Sequence, residues 1–303
     1  MIDFQPLNID NKAAYERLLR CAGERGCEYS FVNLFFWGRQ KAAFLNDHLV
    51  FFSQFHRRSV YLFPVGFGDK KPVLDAVIED ARQRGIPCRF TGMRPGECEL
   101  LESLYPGKFH FHPDRDSFDY VYAIEDLATL KGKKFQKKRN HLNRFWQNHP
   151  DALLEPITGE NCHEAEELVA RWYQLRQEND PHADFEMEKA AISKAFAHRE
   201  KLGLEGMLLR CCDQVVAITM GSRLNENTFD IHFEKALDVA DGAYAAINNG
   251  FAKYLQEKYP EIQFLNREDD MGLEGLRKAK LSYNPHHLVE KSWAHLVEDG
   301  YDY

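Results

Sequence analysis

The sequence predicts an α+β protein built from two domains with mixed β-sheets, and three observations lead there. A chain of 303 residues with 44% hydrophobic content can bury a sizeable core, and at about 150 residues per domain it divides into two. The same order of elements, hairpin, strand, helix, strand and short helix, reads twice along the chain. Strands and helices are mixed rather than strictly alternating, so each half reads as an α+β sheet domain.

In the first half, Ala42-Ala43-Phe44-Leu45 and His48-Leu49-Val50-Phe51-Phe52 flank Asn46-Asp47, a hairpin turn signal. Val73, Leu74, Val77, Ile78 and Ala81 then sit at helical spacing, and Gly85 stops the helix before a strand at 86–90. A short helix follows near 97–104. The second half repeats this with a hairpin of 207–212 and 215–220 around Asp213-Gln214. Ile247, Phe251 and Leu255 give its helix, stopped at Pro260 before a strand at 262–265, with a short helix at 274–281. Between the halves, 127–150 lacks the Gly/Ser/Pro richness of a loose linker and reads as a bridging helix. The expected domains are therefore 1–126 and 127–303.

Composition excludes several classes of function. No apolar run approaches the roughly 18 residues of a membrane helix, and the start Met1-Ile2-Asp3-Phe4 lacks the basic and apolar regions of an export signal, so the expected location is cytoplasmic. Seven cysteines without a CxxC pair read as buried small hydrophobes in a reducing compartment. A net charge of −8 repels a polyanion on average, so any nucleic-acid contact must rest on a local patch. No GxxxxGK[ST], GxGxxG or nucleophile-elbow motif occurs. His110 and His112 form an HxH pair, but no third ligand is evident and no metal site is expected.

Three segments can carry chemistry. From residue 131 through 150 the chain holds seven Lys/Arg and no acid. Lys131, Lys133, Lys134, Lys137, Lys138 and Arg139, with Asn140, form a stripe able to hold phosphates, and the plainer alternative is a solvated helix face. The strand at 228–234 alternates strictly, placing Phe229, Ile231 and Phe233 on one face and Asp230, His232 and Glu234 on the other. That polar face can take a proton from an attacking amine or be an ordinary half-exposed surface. Finally, Asn266-Arg267-Glu268-Asp269-Asp270-Met271-Gly272 puts three acids at a strand exit before a cationic helix holding Arg277 and Lys280, a pattern that helix capping also explains.

The runs at 131–140, 266–272 and 276–285 (Leu-Arg-Lys-Ala-Lys-Leu-Ser-Tyr-Asn-Pro) resemble the bacterial family built on the C-terminal domain of phosphatidylglycerol lysyltransferases. The resemblance covers nearly the whole chain and is strongest after residue 130. It implies two tandem GNAT-like domains, a relation to the Fem peptidyltransferases that take amino acids from aminoacyl-tRNA, and an acyltransferase activity. Coenzyme A dependent relatives grip the pyrophosphate with a (Gln/Arg)-x-x-Gly-x-(Gly/Ala) loop before the central helix. Here the loop keeps Gly242-Ala243 but carries Asp238 and Asp241, which repel an anion.

The expected function is thus transfer of an aminoacyl group from aminoacyl-tRNA to a small-molecule or peptide amine or hydroxyl, with no tightly bound cofactor. Glu234, His232 and Glu268 are the candidate bases, and the resemblance places Tyr283 as the group that protonates the leaving group. Asp230, Asn266, Asp269, Asp270, Arg277 and Lys280 are the expected substrate contacts. The donor's phosphates would lie on the basic stripe and at Gly242. Two alternatives stand beside this: an N-acetyltransferase using acetyl-coenzyme A, and a non-catalytic RNA-binding protein of the same fold.

Overall fold

The computed structural model describes residues 1–23, 26–55, 58–182 and 184–297. In chain order these form β1 (Gln5–Pro6), α1 (Lys12–Leu19), α2 (Phe31–Trp37), β2 (Gln40–Leu45), β3 (His48–Phe55), β4 (Arg58–Gly66), α3 (Lys71–Arg84), β5 (Arg89–Met93), α4 (Pro95–Leu104) and β6 (Phe109–Pro113). Then come β7 (Asp119–Ala123), α5 (Ile124–Thr129), α6 (Gln136–Asn148), β8 (Leu153–Pro156), α7 (Cys162–Asn179), α8 (Glu186–Ala197), α9 (Arg199–Leu202), β9 (Glu205–Cys211), β10 (Gln214–Arg223) and β11 (Thr228–Ala236). The chain closes with α10 (Ala243–Lys258), β12 (Phe264–Asn266), α11 (Glu274–Leu281), β13 (His287–Val289) and β14 (Ser292–Leu296).

Two seven-stranded sheets result, ordered β1-β2-β3-β4-β5-β14-β6 and β8-β9-β10-β11-β12-β7-β13. The orders correspond strand by strand, so the duplication read from the sequence is a duplication of topology. In each sheet one central pair is parallel, β4 with β5 and β11 with β12, and the helix that crosses between them, α3 or α10, makes that direction possible. The two hairpin turns match as well: Asn46 and Asp47 have φ of 47° and 59°, and Cys212 and Asp213 have the same values. Both are the left-handed two-residue turns that fit twisted strands, which moves the second turn one residue before the expected Asp213-Gln214.

The expected 126/127 boundary differs from the division observed. One compact unit comprises Met1–Asp119, Asp269–Glu274 and the stretch from Leu288, and the other comprises Tyr120–Glu268 with Gly275–His287. The cause is strand pairing. Tyr122 and Val121 pair with Leu265 and Asn266 of β12, so β7 belongs to the second sheet although it precedes residue 126. Equally, β14 returns to the first sheet and pairs with β5 and β6. The expected bridging helix is also broken: α5 ends at Leu130 (φ 49°), Gly132 (φ 89°) turns the chain, and α6 begins after it. Asn249 of α10 donates to the carbonyls of Leu127 and Ala128, which fixes the end of α5.

Each unit has its own core. In the first, Val50, Tyr61, Phe63, Leu74, Val77 and Phe90 are buried between the sheet and its helices. In the second, Leu208, Leu209, Ile218, Phe229, Ile247 and Phe251 do the same work, each buried side chain contributing about 1.5–3 kcal/mol. Among the described residues no helix is long and apolar enough to cross a membrane.

Candidate active site in the second unit

The site begins where two strands part. β11 pairs with β12 only through Thr228, Phe229 and Asp230, facing Phe264, Leu265 and Asn266. β12 then ends while β11 continues to Ala236, so among the described residues its second half pairs with β10 alone. On the other flank the register slips between Met220 and Gly221, where any Cβ would collide with the Asp230 carbonyl oxygen; only glycine permits that approach.

Asp230, His232 and Glu234 share a face as the alternation predicts, but it is an interior face. The side chains of Asp230 and His232 are fully buried, so the half-exposed strand considered from the pattern does not describe this one. A central strand is covered on both sides, and alternation then separates two interiors rather than core from water. His232 is held at both ring nitrogens: Nε2 lies 2.8 Å from Ser222 Oγ, and Nδ1 lies 3.1 Å from Glu268 Oε1 and 3.6 Å from Asp230 Oδ2. A hydroxyl, an imidazole and a carboxylate therefore form one chain, whose Glu268 end is 19% exposed while the rest is buried.

Glu268 itself is held in an uncommon backbone state. Its φ is +55°, a left-handed conformation that costs a side-chain-bearing residue about 1–2 kcal/mol. Asn266 Oδ1 accepts from the Glu268 N–H at 2.7 Å, and the Glu268 carbonyl accepts from Tyr120 N–H at 3.1 Å and Lys280 Nζ at 3.2 Å. Asn266 and Lys280 thus aim the carboxylate.

Beside this relay is a buried ion pair. Arg267 donates from Nη2 to Glu234 Oε1 at 2.8 Å, and Asn248 of α10 approaches the other Glu234 oxygen at 3.5 Å. Burial opposes the Arg267 charge, but Glu234, followed by Tyr122 and Tyr283, holds its pKa above the ordinary value. The guanidinium lies 5.2 Å from the Tyr283 ring centre and 5.7 Å from that of Tyr122. Burial pushes the Tyr283 hydroxyl up to about 12, against the pull of Arg267, so at neutral pH it carries a proton it can donate. Lys138 sits 3.8 Å from the Tyr283 ring centre. Burial, then repulsion from Arg267, lowers its pKa, and no acid among the described residues pairs with it.

The basic stripe divides into structural and open cations. Lys131 pairs with Glu125, Lys134 with Asp126 and Arg144 with Asp241. Arg139 donates to the carbonyls of Leu130 and Gly132 and so closes the end of α5. Lys133 and Lys137 are exposed and, like Lys138, have no acidic partner among the described residues; Asn140 is exposed. Gly242, with φ 93°, precedes α10, and a Cβ there would be 3.0 Å from Phe145 Cβ and 3.3 Å from the His141 carbonyl. Helix α6 therefore covers the first turn of α10.

The structure brings Asp230, His232, Glu234, Asn266, Glu268, Lys280 and Tyr283 into this one unit. Arg277 is half-buried on α11. Asp269 and Asp270 belong to the first unit, where Asp270 accepts from Gly272 N–H at 3.0 Å and pairs with Arg115 at 3.3 Å, a loop-closing role. Sequence reasoning missed Ser222, Arg267 and Tyr122. Arg267 lay inside a motif read for its acids, and Ser222 followed only a Gly in an otherwise apolar strand.

Among the described residues, two trios of side chains could offer ligands to a metal ion: Asp230, His232 and Glu268, and, in the first unit, Cys27, Glu28 and Asp119. In the first trio both histidine nitrogens already have hydrogen-bond partners. In the second, the Lys291 ammonium is 2.6 Å from both carboxylates and already supplies a cation. Aligned at the parallel pairs, Phe90 with Phe264, the first unit has Phe63 and Val65 where the second has Asp230 and His232, so it carries none of this chemistry.

A family model described as "Phosphatidylglycerol lysyltransferase, C-terminal" matches residues 20–295. A crystal structure of a conserved protein of unknown function from Bacteroides thetaiotaomicron is 39% identical, with a TM-score of 0.92, covering 98% of this chain and all of that one. The structure of L-PGS from Bacillus licheniformis shares the fold at 15% identity and a TM-score of 0.71, covering 97% of this chain and 93% of that one. So does a tandem GNAT protein from the clavulanic acid biosynthesis pathway, at 11% identity and a TM-score of 0.51, over the full length of both chains. An uncharacterized protein of Mycoplasmoides gallisepticum is 26% identical over 196 residues, 64% of this chain and 60% of its own length, so the match spans less than two thirds of that relative. The two units are thus a tandem of GNAT-like folds.

Proposed function

The chain belongs to the phosphatidylglycerol lysyltransferase C-terminal family, and on that premise we propose that its second unit transfers an aminoacyl group from aminoacyl-tRNA to an amine or hydroxyl acceptor. The observation that carries this reading is the Ser222–His232–Glu268 relay at the parting of β11 and β12. In direct transfer the acceptor attacks the ester carbonyl and loses a proton, and the ribose oxygen leaves and gains one. Glu268, the exposed end of the relay, accepts the first proton, while His232 and Ser222 hold its orientation and spread the charge. Tyr283 donates the second from a hydroxyl kept protonated by burial. The bond between the acyl carbon and the ribose oxygen breaks as the bond to the acceptor forms, the ribose oxygen becomes a hydroxyl, the acceptor becomes an amide or ester, and no covalent enzyme intermediate is needed.

Two features favour tRNA over coenzyme A as the donor. Helix α6 packs over the α10 N-terminus at Gly242, the place where a coenzyme A pyrophosphate would need bare backbone amides. The cations Lys133, Lys137 and Lys138 have no acidic partner among the described residues and are available to phosphates. The experiment is filter binding of aminoacyl-tRNA across a salt series with Lys133→Glu/Lys137→Glu. The double variant is expected to bind at least about tenfold more weakly, with a log–log salt slope smaller by about 1.5–2. Equal affinity and slope in the two proteins would remove the tRNA donor.

A further inference from the structure

We propose that the first unit holds a binding site for a nucleoside monophosphate, in a cavity of about 300 Å³ on the face of its sheet turned away from the core. Val50, Phe52, Tyr61, Phe63 and Phe90 face the core, so the residues that alternate with them face the other way. The register lays these in two rows across the strands. Gln40, Ser53 and Val60 are direct partners in one row, and Phe51, Leu62 and Thr91 in the next. Together they make the floor of the cavity.

The two ends of this floor differ in chemistry. Arg39 and Arg58 lie beyond the first row, one residue before Gln40 and two before Val60, and both line the cavity. Trp293 lines the other end, where β14 pairs Ser292 with Met93 and Ala294 with Phe90 and so sets the indole level with Thr91. No acid lines the cavity, and among the described residues none pairs with Arg58. A guanidinium presents the fixed, planar fork of donors that suits a phosphate. At the opposite end the Trp293 indole donates to Asp114 Oδ2 at 2.7 Å, which fixes the ring as a flat wall on which a base can stack. Gln40 Oε1 is buried without a hydrogen-bond partner among the described residues. Buried polar atoms are nearly always paired, and a ribose hydroxyl donating to this oxygen supplies the missing partner. The volume stands at the lower end of the range for small-molecule pockets, about 300–1,000 Å³, which suits a single nucleotide.

A free nucleotide and the last nucleotide of an RNA chain share this chemistry, and the test separates them. Isothermal titration of the full chain is run with AMP, adenosine, inorganic phosphate, glycerol phosphate and an RNA trinucleotide. AMP is expected to bind at one site, at least about tenfold more tightly than adenosine or either simple phosphate, because only AMP engages both ends. Arg58→Gln should weaken AMP about tenfold and leave adenosine unchanged, whereas Trp293→Leu should weaken both. Trp293→Phe keeps a stacking ring and should retain most of the affinity, which separates loss of stacking from loss of fold. Tighter binding of AMP than of the trinucleotide assigns the cavity to a free nucleotide, and the reverse assigns it to a chain end. No saturable AMP binding, unchanged affinity in Arg58→Gln, or glycerol phosphate binding as well as AMP would each overturn the proposal. None of these readouts needs acyl transfer, so they succeed or fail separately from the activity proposed for the second unit.

Discussion

Replacing Glu268 by glutamine is expected to lower the rate of aminoacyl transfer by about 10²–10⁴-fold, the range that a positioned proton acceptor contributes. Glutamine keeps the size of the side chain and can still meet His232 Nδ1, so the unfolding transition should move little. The loss should fall on kcat rather than KM, because the carboxylate acts as charge develops and not in holding the donor. Ser222→Ala removes one hydrogen bond from the far end of the relay and should cost about tenfold or less. Steady-state kinetics of the two variants beside the wild type checks the order. Full turnover by Glu268→Gln would place the base elsewhere.

The largest effect on stability is expected at Arg267. Its partner Glu234 is 11% exposed, and Arg267→Met would leave that carboxylate buried without its cation, a loss of about 3–5 kcal/mol. Most of the loss is the cost of an uncompensated charge rather than the worth of the pair. Adding Glu234→Gln to Arg267→Met should therefore recover at least half of it. Chemical denaturation of the three variants measures both quantities. A single-variant cost below about 1 kcal/mol would mean that water reaches the pair and that the site is more open than described.

These expectations depend on features that were unequally legible in the sequence. The hairpins, the helices ending at Gly85 and near Pro260, and the alternation of Asp230, His232 and Glu234 are local patterns, and the chain shows them directly. What local pattern could not show is which sheet a strand joins. β7 and β14 each pair in the sheet of the other half of the sequence, and no spacing rule announces that, so the boundary was placed at 126 rather than 119. The same gap hid His295 as a neighbour of His110, whereas Ser222 went unread because it is a lone polar residue at the end of a strand read for its apolar residues. The basic stripe was legible as charge but not as roles: composition could not separate Arg139, which closes a helix end, from Lys138, which faces a tyrosine ring.

The duplication gives a physical reason for placing the chemistry in one half. In both sheets the parallel pairing is short, and where β11 carries Asp230 and His232, groups able to move protons, β4 carries Phe63 and Val65.

The central claim is that the relay in the second unit discharges an aminoacyl ester. A single-turnover measurement tests it most directly: enzyme in excess is mixed with tRNA carrying a radiolabelled amino acid, with a mixture of amine and hydroxyl acceptors, and the label is followed from tRNA to product. The account predicts acceptor-dependent loss of label from tRNA by the wild type, slowed about 10²-fold or more in Glu268→Gln. Label that leaves at the spontaneous hydrolysis rate in both proteins, or equally fast in both, would contradict it.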